Sequence, residues 1–461
     1  MKVLLVAPTV DTCYERVPNI GLMNLYLIGK ELNCEMELMD LTEVPYRKGL
    51  NRILAKKYDL IGISCNFTNA APYCIRYGQD IKRNHPETLI ISGGNHATLV
   101  SEDILFSGYD YIISGEGELT FKEFLNNSLK GLSQKDLKGL YYVQDNQIVK
   151  NPPQQPIEDL DTLPFNDYSE FDLEPYFKHS GLRYMSMETS RGCIYNCAFC
   201  STVRMWGHNY RHKSPQRILD EFKVAKKLKL DFVFIEDDDV AIDEQNLRDF
   251  CKLLIRENLN ILWGTTINPR SIKDDSTLDL MKQSNCIKVN ICIESANPRL
   301  LKEYRKPYTV NDNRVMCKKL LSRGFLIHNH GIIGFPDETI RESLNTYFYL
   351  IKNSPMWHIS VLEPRPGTDY WKKWNKQHDV RQYRLFGKAE VILGKHKVVI
   401  YLMYRFFALC YFLNPVRIYK AVFSKNKSMR YNYKIQYYVA YRTLKANFII
   451  FIKKIFRLKS K

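Results

Sequence analysis

The chain has 461 residues, 45% of them hydrophobic and 25% charged, with 12 cysteines and a net charge of +17. Such length and composition exclude a disordered or fibrous chain and allow two or three domains with sizeable cores. The charge is local: residues 381–461 hold nineteen Lys/Arg against the single acid Glu390, so the first 380 residues sum to −1, and a body of balanced charge carries a basic appendage.

The opening MKVLLVAPTV turns polar at Asp11, too soon for a signal peptide, and reads as a buried strand. The cysteines are therefore expected in a reducing, cytoplasmic setting, where metal binding or catalysis outweighs a disulfide framework. Five strands are predicted at 2–7, 35–40, 59–64, 88–92 and 110–114, alternating with helical patterns near 20–33, 45–57, 69–84, 97–106 and 119–129. That alternation implies an α/β, doubly wound, Rossmann-like parallel sheet over residues 1–138, with ligands beyond the carboxyl ends of its strands. Small polar residues and glycines collect there: Ser64 and Asn66, then Gly93-Gly94-Asn95-His96, then Gly115-Glu116-Gly117-Glu118.

Residues 139–150 read as a hairpin about Asp145-Asn146, and five prolines in 151–182 mark a wrapping linker. A second alternation follows, assigned to residues 183–370. Its strands lie near 184–190, 231–236, 261–267, 287–293, 326–333 and 357–363, and its helices near 214–229, 243–258, 274–284, 297–322 and 337–352. Six strands are two short of a closed eight-stranded barrel, so a partial (β/α)6 barrel of the TIM type is expected, with chemistry at the strand C-termini.

After the first of these strands comes TSRGCIYNCAFCS, in which Cys193, Cys197 and Cys200 fall within eight residues. One loop can wrap three such sulfurs around one inorganic centre; thiolates bind iron–sulfur cubanes, and a cubane with three protein ligands keeps one iron open. A zinc site of three cysteines and His208 or His212, or simply buried thiols, are the competing readings. The spacing C-x3-C-x2-C, with Phe199 before the last cysteine, resembles the signature of radical S-adenosylmethionine (SAM) enzymes. The resemblance implies a [4Fe-4S] cluster whose open iron chelates SAM and whose electron cleaves it to a 5'-deoxyadenosyl radical.

Other strand ends extend the resemblance. Glu236-Asp237-Asp238-Asp239 is similar to the family's segment at the SAM ammonium, and four adjacent acids call for a cationic partner. Glu294-Ser295 is similar to a segment near the SAM ribose and methionine, and Gly331–Pro336, with Gly334 at its centre, to the backbone beside the adenine. His328 and His330 share one strand face and are candidate substrate contacts. Glu363–Thr368 is similar to the Pro-Gly-Thr turn that closes the family's barrel.

In the N-terminal segment, Gly21-Leu22, LIGISCNF, LIISGGNHAT and YIISGEGELTF resemble the cobalamin-binding domain of class B radical SAM enzymes. The implied cobalamin contacts are Ser64, Asn66, Gly93, Gly94, His96, Gly115, Glu116 and Gly117. No D-x-H-x-x-G motif is present, so His96 is not expected to ligate cobalt, and Asn95 stands where the family commonly has proline. The resemblance implies methyl transfer from methylcobalamin to an unactivated carbon; cyclisation or rearrangement without methyl transfer, or a non-catalytic sensor, are the alternatives. An electron donor of the flavodoxin or ferredoxin type is the implied protein partner.

Residues 371–461 are expected to form a basic, aromatic helical extension. Val398–Leu413 is apolar except for Arg405, and 446–456 is a second apolar run. Both are shorter than the ~20 residues a bilayer span needs, so a peripheral contact with an anionic membrane surface, and with it a lipid-like or hydrophobic substrate, is expected. Packing on the barrel is the plainer reading. Nucleic acid ranks last, because no RNA-binding module surrounds the Tyr/Lys-rich stretch 430–445.

Overall fold

The computed structural model describes residues 1–10, 17–180 and 183–376, with single positions between 399 and 423. Its first sheet has seven strands: β1 (Lys2–Ala7), β2 (Glu35–Asp40), β3 (Leu60–Ser64), β4 (Leu89–Gly93), β5 (Tyr111–Ile113), β6 (Leu140–Gln144) and β7 (Gln147–Lys150). Their order is β2-β1-β3-β4-β5-β6-β7, parallel through β5. The chain reverses direction across the sheet between β1 and β3, the switch point where doubly wound folds take ligands. Leu4, Val6 and Ile61 pack one face of this sheet, while Val3, Leu5 and Leu60 pack the other against helices Ile20–Glu31 and Gly117–Lys130.

Two boundaries differ from expectation. The hairpin β6–β7 does not belong with the linker: β6 pairs antiparallel with β5 and extends the sheet, its tight turn carried by Asp145 and Asn146 at φ +50 and +60. The helix expected over 97–106 begins earlier and breaks at Val100 into Asn95–Leu99 and Ser101–Leu105.

The second unit comprises β8 (Tyr184–Met187), a two-residue antiparallel ribbon of β9 (Ser190–Arg191) and β10 (Arg211–His212), then β11 (Phe232–Ile235), β12 (Leu262–Ile267), β13 (Cys286–Glu294), β14 (Leu326–Ile333) and β15 (Met356–Val361). Six of these strands form one parallel sheet, order β15-β14-β13-β12-β11-β8. Alternation sets its faces: Val289, Ile291 and Ile293 of β13 are wholly buried, whereas Lys288, Asn290 and Cys292 lie half-buried on the opposite face. Phe222, Phe250, Trp263 and Leu320 fill the layer between sheet and helices.

The helix expected over 297–322 is also broken, and the break matters for the site. Residues Pro298–Glu303 and Val310–Ser322 are helical; the chain leaves the first helix at Tyr304 and Arg305, the latter at φ +56, and Pro307, which has no N–H, cannot continue it. Thr309 and Asp312 then form a capping box that restarts it. In the tail, Phe407 is buried and stacks on Tyr347 at 3.7 Å, while Leu402, Phe406 and Leu409 are exposed. Val399, Met403 and Cys410 are described too; the rest of Val398–Leu413 and the stretches 430–445 and 446–456 lie outside the described residues.

Candidate active site between the two sheets

The loop after β8 is held from both sides before any ligand is considered. Asp237, 4% exposed at the end of β11, accepts from Thr189 N (2.8 Å), Thr189 Oγ1 (2.5 Å) and Ser190 Oγ (2.7 Å). On the far side Ala198 N donates to Tyr304 O at 2.9 Å. Gly192 turns the chain at φ +91, and a methyl group there would meet Asn209 O at 1.9 Å, so only glycine fits. Cys193, Cys197 and Cys200 are thereby presented, half-buried, on the wall of a cleft of about 410 Å³ at the C-terminal ends of the barrel strands.

The donor set fits a cubane. Cys193, Cys197 and Cys200 line one cleft, and around a cubane each thiolate can bind a different iron, which leaves the fourth iron open. Burial pushes the Cys193 thiol up to about 12 and raises Cys197 as well, although Lys306 pulls the latter back. Loading iron therefore displaces protons.

Of the residues expected at SAM, Phe199, Asp237, Asp238 and Glu294 line this cleft, and so does His330. Glu236 does not: it is exposed and accepts from Ser186 Oγ at 2.8 Å. Ser295 is fully buried and faces helix Ile340–Asn353, because Glu294 sits at φ +62 and turns the chain at the strand end. Gly334 is likewise outside, its N–H bound by Glu338 at 2.6 Å. Of the two histidines, only His330 reaches the cleft wall; His328 lies one step down the same face, ring centroids 4.2 Å apart. His330 Nε2 is buried without a partner, and burial lowers its pKa to about 3, which keeps the imidazole neutral.

Residues not foreseen complete the cleft. Lys306 and Tyr308 enter from the helix break, Cys292 from β13 and Asn268 from a strand end, while Asp239 and Arg365, which line the cleft too, belong to the segments 236–239 and 363–368 already singled out in the sequence. Lys306 pairs with Glu294 at 3.0 Å and lies 5.2 Å from the Phe199 ring centroid; Tyr308 OH donates to Cys292 O. Pro307 was the available signal for Lys306. Cys292 gave none beyond its parity on β13.

Glu338 holds the turn after β14 by accepting from Gly334 N and Phe335 N. Burial raises its carboxyl from 4.5 to about 7, so the folded chain binds that proton more tightly than the unfolded one. Its contribution to stability is fully present below pH 4.5 and is lost as pH rises through about 7. The melting temperature of wild type should fall between about pH 5 and pH 8 by more than that of Glu338→Gln; equal changes would remove the assignment.

The glycine loops of the first sheet frame a second cleft of about 260 Å³, lined by Ser64, Asn66, Gly93, Gly94, Gly115, Glu116 and Gly117. Gly94 lies at φ +98, and a methyl group there would come 2.9 Å from Asn66 Oδ1, so the rim requires bare backbone. That is the cradle a large flat ligand with a nucleotide tail needs. Two expected contacts are altered. His96 is 1% exposed, set between Thr68 and Trp371, and borders a different cleft. Glu116 lines the glycine cleft, but its carboxylate is taken by Arg191 and Arg211. Gly94→Ala is expected to weaken hydroxocobalamin binding by at least about tenfold, or ~1.4 kcal/mol, measured by equilibrium dialysis.

A third cleft of about 450 Å³ joins the other two, sharing Ser64, Asn66 and Asn95 with the glycine cleft and Glu363 and Arg365 with the cysteine cleft. The three clefts therefore adjoin one another in series.

Comparison with known proteins agrees with this layout. Residues 187–350 match the Radical SAM superfamily and residues 7–125 match the B12 binding domain. An uncharacterized methyltransferase of Pyrococcus horikoshii is 29% identical over 81% of this chain and 83% of its own length. An anaerobic magnesium-protoporphyrin IX monomethyl ester cyclase of Rubrivivax gelatinosus is 26% identical over 77% of this chain, which spans 64% of that relative. The solved radical SAM methyltransferase TsrM of Kitasatospora setae shares the fold, with a TM-score of 0.71 at 18% identity over 81% of this chain and 76% of that one. With a B12-binding sheet ahead of a cysteine-bearing partial barrel, the chain belongs to the cobalamin-dependent radical SAM enzymes.

Proposed function

We propose that this enzyme transfers a methyl group to an unactivated carbon of a lipid-like or otherwise hydrophobic molecule. The observation that carries the reading is the third cleft, which shares lining residues with both the cysteine cleft and the glycine cleft and so lies next to each. When bound, the cluster, SAM and cobalamin supply an electron, a carbon-centred radical and a transferable methyl group. The chain's own task is placement. Cys193, Cys197 and Cys200 would hold the cluster. Asp238, Phe199 and the buried Glu294–Lys306 pair, all on the wall of the cysteine cleft, would orient SAM. His330, neutral and with a free Nε2, would offer the substrate one hydrogen-bonding group.

The test is incubation of the anaerobically reconstituted chain with reductant, SAM labelled in its methyl group, and a solvent extract of apolar cell metabolites. Formation of 5'-deoxyadenosine together with labelled product one CH2 heavier supports the reading. The cyclase relative favours a second one, ring formation without methyl transfer, which predicts 5'-deoxyadenosine with no label in the product. A sensor would yield neither.

The basic tail supports a peripheral membrane location; no helix among the described residues is long and apolar enough to cross a bilayer. Anionic liposomes should float the full chain and leave a chain ending at His378 behind. Equal flotation would remove the tail from the proposal. An acidic electron-donor protein is the remaining partner we propose, to be sought by cross-linking to the reconstituted enzyme.

A further inference from the structure

Five charged side chains from both sheets meet in the interface between them. Arg191 Nε lies 2.7 Å from Glu188, its Nη2 2.7 Å from Glu118 and its Nη1 3.3 Å from Glu116; Arg211 binds Glu116 and donates to Ile157 O at 2.6 Å. Four of the five are more than nine-tenths buried. Burial opposes the Glu118 carboxylate, but Arg191 beside it holds it below its ordinary carboxyl value.

The placement of this network gives it two outputs. Glu116 and Glu118 flank Gly117 on the glycine loop after β5, and Glu116, Glu118, Glu188 and Arg191 all line the glycine cleft. Arg191 also lies in the β9–β10 ribbon opposite Arg211, and is joined through Gly192 to Cys193. Only Gly192 separates Arg191 from Cys193, so a shift of Arg191 reaches the cysteine loop through a single residue. A ligand resting on the glycine loop therefore touches the group that sets the cysteines. Three carboxylates against two guanidiniums leave the network one negative charge in excess, which suits a ligand rimmed with amide N–H donors.

We propose that Arg191 is a positioning residue that makes occupancy of the two sites interdependent: filling the glycine cleft tightens the cysteine loop around its cluster, and a loaded cluster tightens the glycine cleft. The inference rests on the reading that these clefts hold cobalamin and the cluster. Linkage of this kind is reciprocal and commonly amounts to ~5–150-fold in affinity.

The test uses the full chain, freed of both cofactors under anaerobic conditions. Hydroxocobalamin affinity is measured before and after cluster reconstitution, and cluster loss to a chelator is followed with and without hydroxocobalamin. Wild type should bind at least about fivefold more tightly once the cluster is in place and lose iron more slowly when cobalamin is bound. Arg191→Lys keeps the charge but cannot reach three carboxylates at once; because Arg191 lines the glycine cleft, hydroxocobalamin affinity itself should fall, but by the same factor with and without the cluster, so that the linkage falls toward unity. Glu118→Gln, in the first turn of helix Gly117–Lys130, should do the same. Equal wild-type affinities with and without the cluster would overturn the proposal, as would full linkage in both variants. Absence of cobalamin binding in every state would instead strike the cofactor reading itself.

Discussion

Replacing Cys193, Cys197 and Cys200 with serine, singly or together, should leave anaerobically reconstituted protein without bound iron and lower 5'-deoxyadenosine formation at least about 10³-fold, roughly 4 kcal/mol in barrier. The reason is local. Serine oxygen is a hard, protonated ligand in place of a soft thiolate, and the half-buried wall offers no alternative geometry because Gly192 and the Thr189–Asp237 bonds fix the loop. The fold should survive, since none of the three thiols is part of a hydrophobic core. Cys292 supplies the control. Its thiol lines the same cleft, raised to about 12 by burial, yet it comes from β13 and not from the loop. Cys292→Ser should keep its iron; loss there would mean four protein thiolates and no open iron for SAM, and the proposed chemistry would fail.

Lys306→Met should destabilise the chain by ~3–5 kcal/mol, because it strands Glu294 as a buried, uncompensated carboxylate. Burial works against the Lys306 ammonium too, but Glu294 and the surrounding thiols keep it protonated. Adding Glu294→Gln should restore much of that loss while leaving SAM binding impaired. The double variant thus separates stability from ligand placement. A stable single variant with unchanged SAM affinity would show that the pair is decorative. Chemical denaturation and equilibrium dialysis with SAM give the two readouts.

How far these residues could be read from sequence depended on what fixes their direction. Strands were legible because alternation and apolar runs fix a strand locally: all six barrel strands and the first five of the other sheet fall where expected, within a few residues at their ends. The cysteines were legible because their spacing itself is the chemistry. Ser295 and Gly334 were misplaced for a shared reason, since beyond a strand end parity no longer says where a side chain points, and the positive φ of Glu294 reverses it. Lys306 was hidden inside an apolar pattern that ran unbroken across Pro307. Arg191 was invisible as a partner of Glu116 and Glu118, because a contact spanning more than seventy positions leaves no local trace.

The same long-range ion pairs impose an order of assembly. Glu116 and Glu118 leave the ribosome before Arg191 and Arg211, so the first sheet can present its carboxylates by the time the arginines arrive, whereas the reverse order would strand two guanidiniums in a dry seam. A fragment beginning at residue 183 lacks those acids altogether. Its Arg191 would keep only Glu188, and its Arg211 would lose Glu116, which is why the two halves of this chain should resist being produced apart.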